Sequence, residues 1–342
     1  MVGPPPASWV VEPEAARAFE VAPGIWQLRI PLPWEGITHV NAFTLPAPDG
    51  GIILVDCGSA GHSSLWDALV VALGIAGSSV ADVRRVVLTH YHSDHAGLLA
   101  RLIAESGCAV LGHPAIEHFT DATIHPSEIE AARALRARRE GTPEKLVPAC
   151  ADVAEEVEGV LAATPPSEHL LDGDIVESAL GPWVVIETPG HAPSHICLHQ
   201  PELGVLLVGD VLAPAFYPYF DYGYSPDPIA EYFLSFERLG GLEGVQLLLP
   251  GHGRPMPDLA EALSTWRGAL TERLDASEAA VAAGAETGFE VTSALYDVEA
   301  AGPMASLQLA EVLTYLRHLR RAGRVVRRTT GDGSFRYALG AP

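Results

Sequence analysis

His90-Tyr91-His92-Ser93-Asp94-His95 places four potential metal ligands within six residues. The apolar run Val86-Val87-Leu88-Thr89 leads into it and reads as a buried strand. The stretch AGLLARLIAE, residues 96–105, follows with helical texture. A strand-to-helix junction directs neighbouring side chains at one point in space. Neutral imidazoles beside a carboxylate suit Zn²⁺, Fe²⁺ or Mn²⁺. A polar turn that merely caps a helix would not call for three histidines and an aspartate.

Outward from this stretch, short apolar runs alternate with helical ones. VAPGIWQLRIPLP (21–33), HVNAFTLPAP (39–48) and GGIILVDCGS (50–59) each read as a strand, and SSLWDALVVALGI (63–75) reads as a helix. Strand texture returns in 172–178, 181–190, 195–210 and 245–253. The alternation predicts an α/β layered domain over 21–258, preceded by a Pro-rich, acidic lead-in at 1–20. Residues 114–168 interrupt the rhythm with charged helical segments and are expected to form a helical insertion that caps the site. Residues 259–285 read as a helical connector. Residues 286–342 read as a small terminal domain, a helix followed by a hairpin around Gly331-Asp332-Gly333.

Three further pieces each close an apolar strand. Thr188-Pro189-Gly190-His191 follows WVVIE, Gly209-Asp210 follows VLLV, and Pro250-Gly251-His252-Gly253 follows LLL. In each, a ligand-type residue stands beside a glycine, which lets backbone approach a crowded centre. Each piece alone is weak; their order is specific. The ordered set resembles the metallo-β-lactamase superfamily, whose motif is HxHxDH followed by a distant His, an Asp and a final His. The resemblance covers about residues 21–255. It implies an αββα sandwich of two mixed sheets with helices outside, and two divalent metal ions at one edge, Zn²⁺ first with Fe²⁺ or Mn²⁺ as alternatives.

Carried over residue by residue, the resemblance implies His90, His92 and His191 at one metal, Asp94, His95 and His252 at the other, and Asp210 between them. Asp56, in Val55-Asp56-Cys57-Gly58, would orient a ligand histidine from outside. Asp94 and His195 are the candidate catalytic groups. A bridging Asp and no ligand Cys resemble the glyoxalase II, lactonase and RNase Z-like branches more than true β-lactamases, although Ser194 stands where the glyoxalase II-like segment commonly has Gly. The expected reaction is hydrolysis of an acyl carbonyl, in a thioester, lactone or ester, by a water whose pKa two cations lower. Tyr217, Tyr219, Tyr222 and Tyr224 are candidates to line the acyl pocket, with Trp34 and His39 overhanging the mouth.

The tail resembles the winged-helix-like end of lactamase-like proteins related to β-lactamase-like protein 2. Arg317, Arg320, Arg321, Arg324, Arg327, Arg328 and Arg336 give residues 301–342 a charge of about +5, against about −27 for the rest of a chain whose net charge is −22. Three other readings therefore stand beside the acyl hydrolase: an endoribonuclease or other phosphodiesterase, a mononuclear-iron persulfide dioxygenase, and a non-catalytic regulator. The acidic body argues against nucleic acid as a partner, because a polyanion near the metals would be repelled. Four scattered cysteines suggest no disulfide framework. No signal peptide and no long apolar span are read, so a cytoplasmic location without membrane contact is expected. The insertion and tail are candidate homodimer surfaces.

Overall fold

The computed structural model describes residues 12–34, 37–296, 298 and 304–341. Two sheets carry the fold. The first runs β1 (Arg17–Ala22), β2 (Ile25–Pro31), β3 (His39–Pro46), β4 (Ile52–Val55), β5 (Val83–Val87), β6 (Ala109–Gly112) and β7 (Glu168–His169), each strand beside the next. Pairing is antiparallel from β1 to β4 and parallel from β4 to β7. The second sheet has the order β12-β11-β10-β9-β8, comprising β8 (Ile175–Ser178), β9 (Gly181–Glu187), β10 (Ile196–Gln200), β11 (Val205–Gly209) and β12 (Leu247–Pro250).

Strand periodicity explains the layering. Successive side chains point to opposite faces, so Ile53, Val55 and Val87 enter the core between the sheets, with Trp183, Val185, Leu198 and Leu207 facing them. Their neighbours Ile52, Leu54 and Val86 face outward onto α1 (Ser63–Ile75) and α3 (Leu99–Ser106), through Trp66, Leu69, Leu73 and Leu102. On the second sheet Leu206 and Val208 face outward onto α8 (Pro228–Gly240) and α9 (Leu259–Ala282), through Tyr232, Phe236, Trp266 and Leu270. Two sheets with helices on both outer faces make the expected αββα sandwich.

The insertion is helical, as expected: α4 (Glu117–Ile124), α5 (Pro126–Arg139), α6 (Val147–Ala151) and α7 (Ala154–Glu158), with the one-turn α2 (Ser93–Ala96) earlier, inside the ligand motif. The tail holds α10 (Gly288–Leu295), α11 (Met304–Arg321) and the hairpin β13 (Val325–Thr329) with β14 (Phe335–Leu339).

Three expectations need correction. Residues 17–20 are not a loose lead-in, because they pair with β2 as part of β1; residues 1–11 lie outside the described set. The run 21–33 is not one strand, because Gly24, at φ 78°, turns the chain between β1 and β2. The segment 259–285 is not a free connector. Trp266, Leu270 and Leu274 of α9 share one buried cluster with Leu309, Val312, Leu316 and Tyr337 of the tail. The tail thus has the element order of a helix and wing but no separate core.

Candidate metal centre

The motif histidines leave β5 where the strand ends. His92 caps the first turn of α2, so Asp94 and His95 project from that turn while His90 remains on the strand side. The other donors arrive from the C-terminal ends of strands in the second sheet: His191 after β9, Asp210 after β11 and His252 after β12. All seven come together. His191 Nε2 lies 2.8 Å from His92 Nδ1 and 3.3 Å from His90 Nε2. His252 Nε2 lies 3.1 Å from Asp94 Oδ2. Asp210 Oδ2 sits between the two halves, at 3.2 Å from His252 Nε2, 3.4 Å from His95 Nε2, 3.7 Å from His191 Nε2 and 4.0 Å from His90 Nε2.

Such closeness depends on glycine. A Cβ on Gly251 would stand 2.0 Å from Asp210 Oδ1, and one on Gly209 would stand 2.5 Å from His195 Nε2. The two peptides can lie against the centre only because those atoms are missing.

Groups outside the cluster fix how the rings face it. His95 Nδ1 donates to Asp56 Oδ2 at 2.8 Å, and Asp56 also accepts from the Thr89 amide and hydroxyl, both at 2.8 Å. His90 Nδ1 bonds the same Thr89 hydroxyl oxygen at 3.0 Å. His252 Nδ1 donates to the His39 carbonyl at 2.8 Å, and His92 Nε2 donates to Asp221 Oδ2 at 3.1 Å. Each of these rings therefore turns its other nitrogen into the cluster, the arrangement of an oriented metal ligand. Asp56 holds φ 60°, a left-handed conformation that aspartate tolerates better than most residues.

The electrostatics are those of a site made for cations. Burial and then the neighbouring imidazoles hold His90 well below the usual histidine range; burial and His92 do the same to His191. Burial also opposes a proton on His95 and His252, but the carboxylates overcome it. Asp210, Asp94 and Asp56 push His95 well above its ordinary value, and Asp210 and Asp94 push His252 up to about 10. Burial would raise Asp210, yet His252 and His95 hold it well below the usual carboxylate range. His95 Nε2 and Asp210 Oδ1 are sealed from solvent with no hydrogen-bond partner. Converging imidazole nitrogens and orphaned acceptors fit divalent cations, which would satisfy them together.

The catalytic role expected for His195 does not fit its surroundings. Its Nε2 accepts the Asp210 amide at 3.0 Å and its Nδ1 bonds the Thr188 hydroxyl at 2.7 Å, so both ring nitrogens are committed. Burial depresses its pKa to about 3. Asp221 and His118 were not singled out from the sequence. Asp221, three residues before Tyr224 in the aromatic stretch, is held far below the usual carboxylate range because His92 and His118 outweigh its burial. His118, from α4, lies 3.8 Å from Asp221, and its Nδ1 is buried without a partner. A lone His or Asp far from the motif gives no periodic signal that could have flagged either.

A cavity of about 530 Å³ opens on the cluster. Trp34, His39 and all four candidate tyrosines line it, as expected, joined by residues of α4, α5 and α11. Tyr219 packs edge-on against His92, with ring centres 4.6 Å apart. Tyr217 is largely exposed at the mouth.

Five of the seven tail arginines are engaged by neighbouring groups, while Arg320 and Arg328 are exposed. Arg317 donates to the Ser225 carbonyl and stacks on Tyr222. Arg321 pairs with Asp227, Arg324 with Asp275 and Glu278, and Arg336 with Glu286. Arg327 stacks on Phe335.

The sequence model of the metallo-beta-lactamase superfamily matches residues 37–252. The chain is 31% identical over 199 residues to the probable metallo-hydrolase YqjP of Bacillus subtilis, covering 55% of this chain and 60% of that protein. It is 28% identical over 220 residues to the acyl-coenzyme A thioesterase MBLAC2 of Gallus gallus, covering 58% and 68%. A metallo-beta-lactamase family protein of Thermus thermophilus, TTHA1429, superposes with a TM-score of 0.80 at 28% identity, over 94% of this chain and all of that one. The match spans most of the sandwich and every converging donor, so the chain belongs to the metallo-beta-lactamase superfamily and is a metal-dependent hydrolase.

Proposed function

We propose that this hydrolase cleaves an acyl carbonyl, with a thioester as the first substrate class and a lactone or ester as the second. One observation carries this reading: the cavity on the donor cluster is walled mainly by apolar and aromatic side chains, among them Trp34, Phe119, Ile129, Tyr219, Leu307 and Ala310. Such a wall suits an acyl group, and the volume suits a small molecule. The thioesterase named among the relatives supports the same class. The contacts of Arg317, Arg321, Arg324, Arg327 and Arg336 weaken the case for a polyanionic substrate.

In this reading His90, His92 and His191 would hold one divalent cation and Asp94, His95 and His252 the other, with Asp210 in reach of both sets. When bound, the cations supply Lewis acidity and lower the pKa of a water. Asp94 lines the cleft and is placed to take a proton as the nucleophile forms. His195 is a positioning residue, which holds the Asp210 peptide through its amide. Asp56 and Asp221 keep His95 and His92 in the tautomers that face inward. The aromatic loop and insertion exclude water from the acyl side and orient the carbonyl.

The test is thiol release from a series of acyl-glutathione and acyl-coenzyme A thioesters, with zinc-loaded wild type beside His92→Ala. Release by the wild type alone is expected. No release from folded, metal-filled protein would move the assignment to lactones.

A further inference from the structure

Arg136 is a cation in the cavity wall with no carboxylate paired to it among the described residues. It stands on α5, lines the cavity, and stacks on the Tyr222 ring at 4.8 Å. The guanidinium of Arg317 also lies over the Tyr222 ring, at 4.3 Å. The Nε of Arg136 is sealed from solvent and has no hydrogen-bond partner. Among the described residues no carboxylate lies within ion-pair distance of it. Glu140, just past the end of α5, acts on it only at longer range; its Oε1 is engaged by the Tyr337 hydroxyl at 3.1 Å and by Arg327 at 4.0 Å, and its Oε2 is buried without a partner.

A buried guanidinium is costly unless its donors are satisfied. Burial and then Arg133 lower the Arg136 pKa to about 10, so it keeps its charge at neutral pH. Stacking on Tyr222 occupies the flat face and leaves the edge, the fork that fits an oxyanion. Tyr222 follows Tyr219, which packs on His92, by three residues. Arg136 thus lines the same cavity of about 530 Å³ as His92, Asp94, His191, Asp210 and His252, a space that one small molecule can span.

We propose that Arg136 is a specificity-determining binding residue for an oxyanion, a carboxylate or phosphate, carried by the substrate away from its scissile carbonyl. This rests on the acyl-hydrolase reading of the cavity. The anion can belong to the acyl half or to the thiol half, and the test separates these.

Three thioesters are compared: nonanoyl and suberoyl esters of the uncharged thiol N-acetylcysteamine, and nonanoyl-glutathione. In the wild type one charged ester is expected to exceed the neutral one in kcat/KM by roughly 10- to 100-fold, as for a charge-assisted hydrogen bond. Preference for the suberoyl ester assigns the anion to the acyl half; preference for the glutathione ester assigns it to the thiol half. Arg136→Met should bring that ratio near unity. Arg136→Lys keeps the charge without the fork, should lower the ratio at least about threefold, and serves if the methionine variant does not fold. Equal rates on all three esters in the wild type, or a preference that survives both substitutions, overturns the proposal. If no thioester is cleaved, the thioester reading fails while Arg136 is still tested by calorimetry with suberate, glutathione and the uncharged nonanamide. Binding of a charged ligand above nonanamide, lost in the variants, supports the site; no such difference overturns it.

Discussion

Asp56→Asn separates the charge of Asp56 from its backbone role. Asparagine tolerates the left-handed conformation that Asp56 holds at φ 60°, so no new backbone strain is introduced. The hydrogen bonds do change. Asp56 accepts three, from the Thr89 amide, the Thr89 hydroxyl and His95 Nδ1, each at 2.8 Å and all buried. Asn has one oxygen. If that oxygen faces His95, the new NH₂ meets the Thr89 amide; if it is flipped, the NH₂ meets His95. Either way a buried donor loses its acceptor, at a cost of about 1–3 kcal/mol. Where His95 absorbs the loss, its inward nitrogen is no longer held, and metal affinity should fall about 10- to 100-fold. The assays are chelator competition for zinc and urea denaturation of the same samples. Wild-type affinity and wild-type stability together would refute the view that Asp56 fixes the His95 tautomer.

Further outcomes are expected. Asp221→Asn should lower zinc affinity or turnover by about 10- to 100-fold, since it weakens the acceptor for His92 Nε2; kinetics at saturating zinc separate the two effects. Gly251→Ala should nearly abolish turnover, because the added Cβ would occupy the place of Asp210 Oδ1, while far-ultraviolet circular dichroism stays that of the wild type. Glu311 is buried and accepts from the Tyr296 and Tyr315 hydroxyls at 2.6 and 2.8 Å; burial raises its pKa above the unfolded value. The folded state then holds that proton more tightly. The contribution to stability is greatest below the unfolded pKa and falls as pH rises through the window up to the folded one. Glu311→Gln should remove this fall, so its stability relative to wild type, read by urea denaturation, should increase across that window. A flat difference would contradict the assignment.

The motif at residues 90–95 was readable because its donors are local: adjacent positions at a strand end must converge whatever surrounds them. His191, Asp210 and His252 were readable for a related reason, since each closes an apolar strand beside a glycine. The α/β layering followed from strand periodicity and the sandwich from the family resemblance, and the corrections fell where periodicity is short. Residues 17–20 lack an apolar run, and only pairing with β2 makes them a strand.

What the sequence alone determined is thus the family resemblance, with the hydrolase class and donor set it implies, carried by short stretches whose backbone fate is settled locally. Only the tertiary structure decided the rest. Asp221 reaches His92 across 129 positions, Arg136 meets Tyr222 between an insertion helix and a loop, and Arg321 and Arg324 of the tail turn onto Asp227 and Asp275 of the body. Such contacts depend on how separate elements pack, and a single charged residue carries no periodic signal of what it will face. The same packing brings the helical insertion and the tail helix together as walls of one cavity.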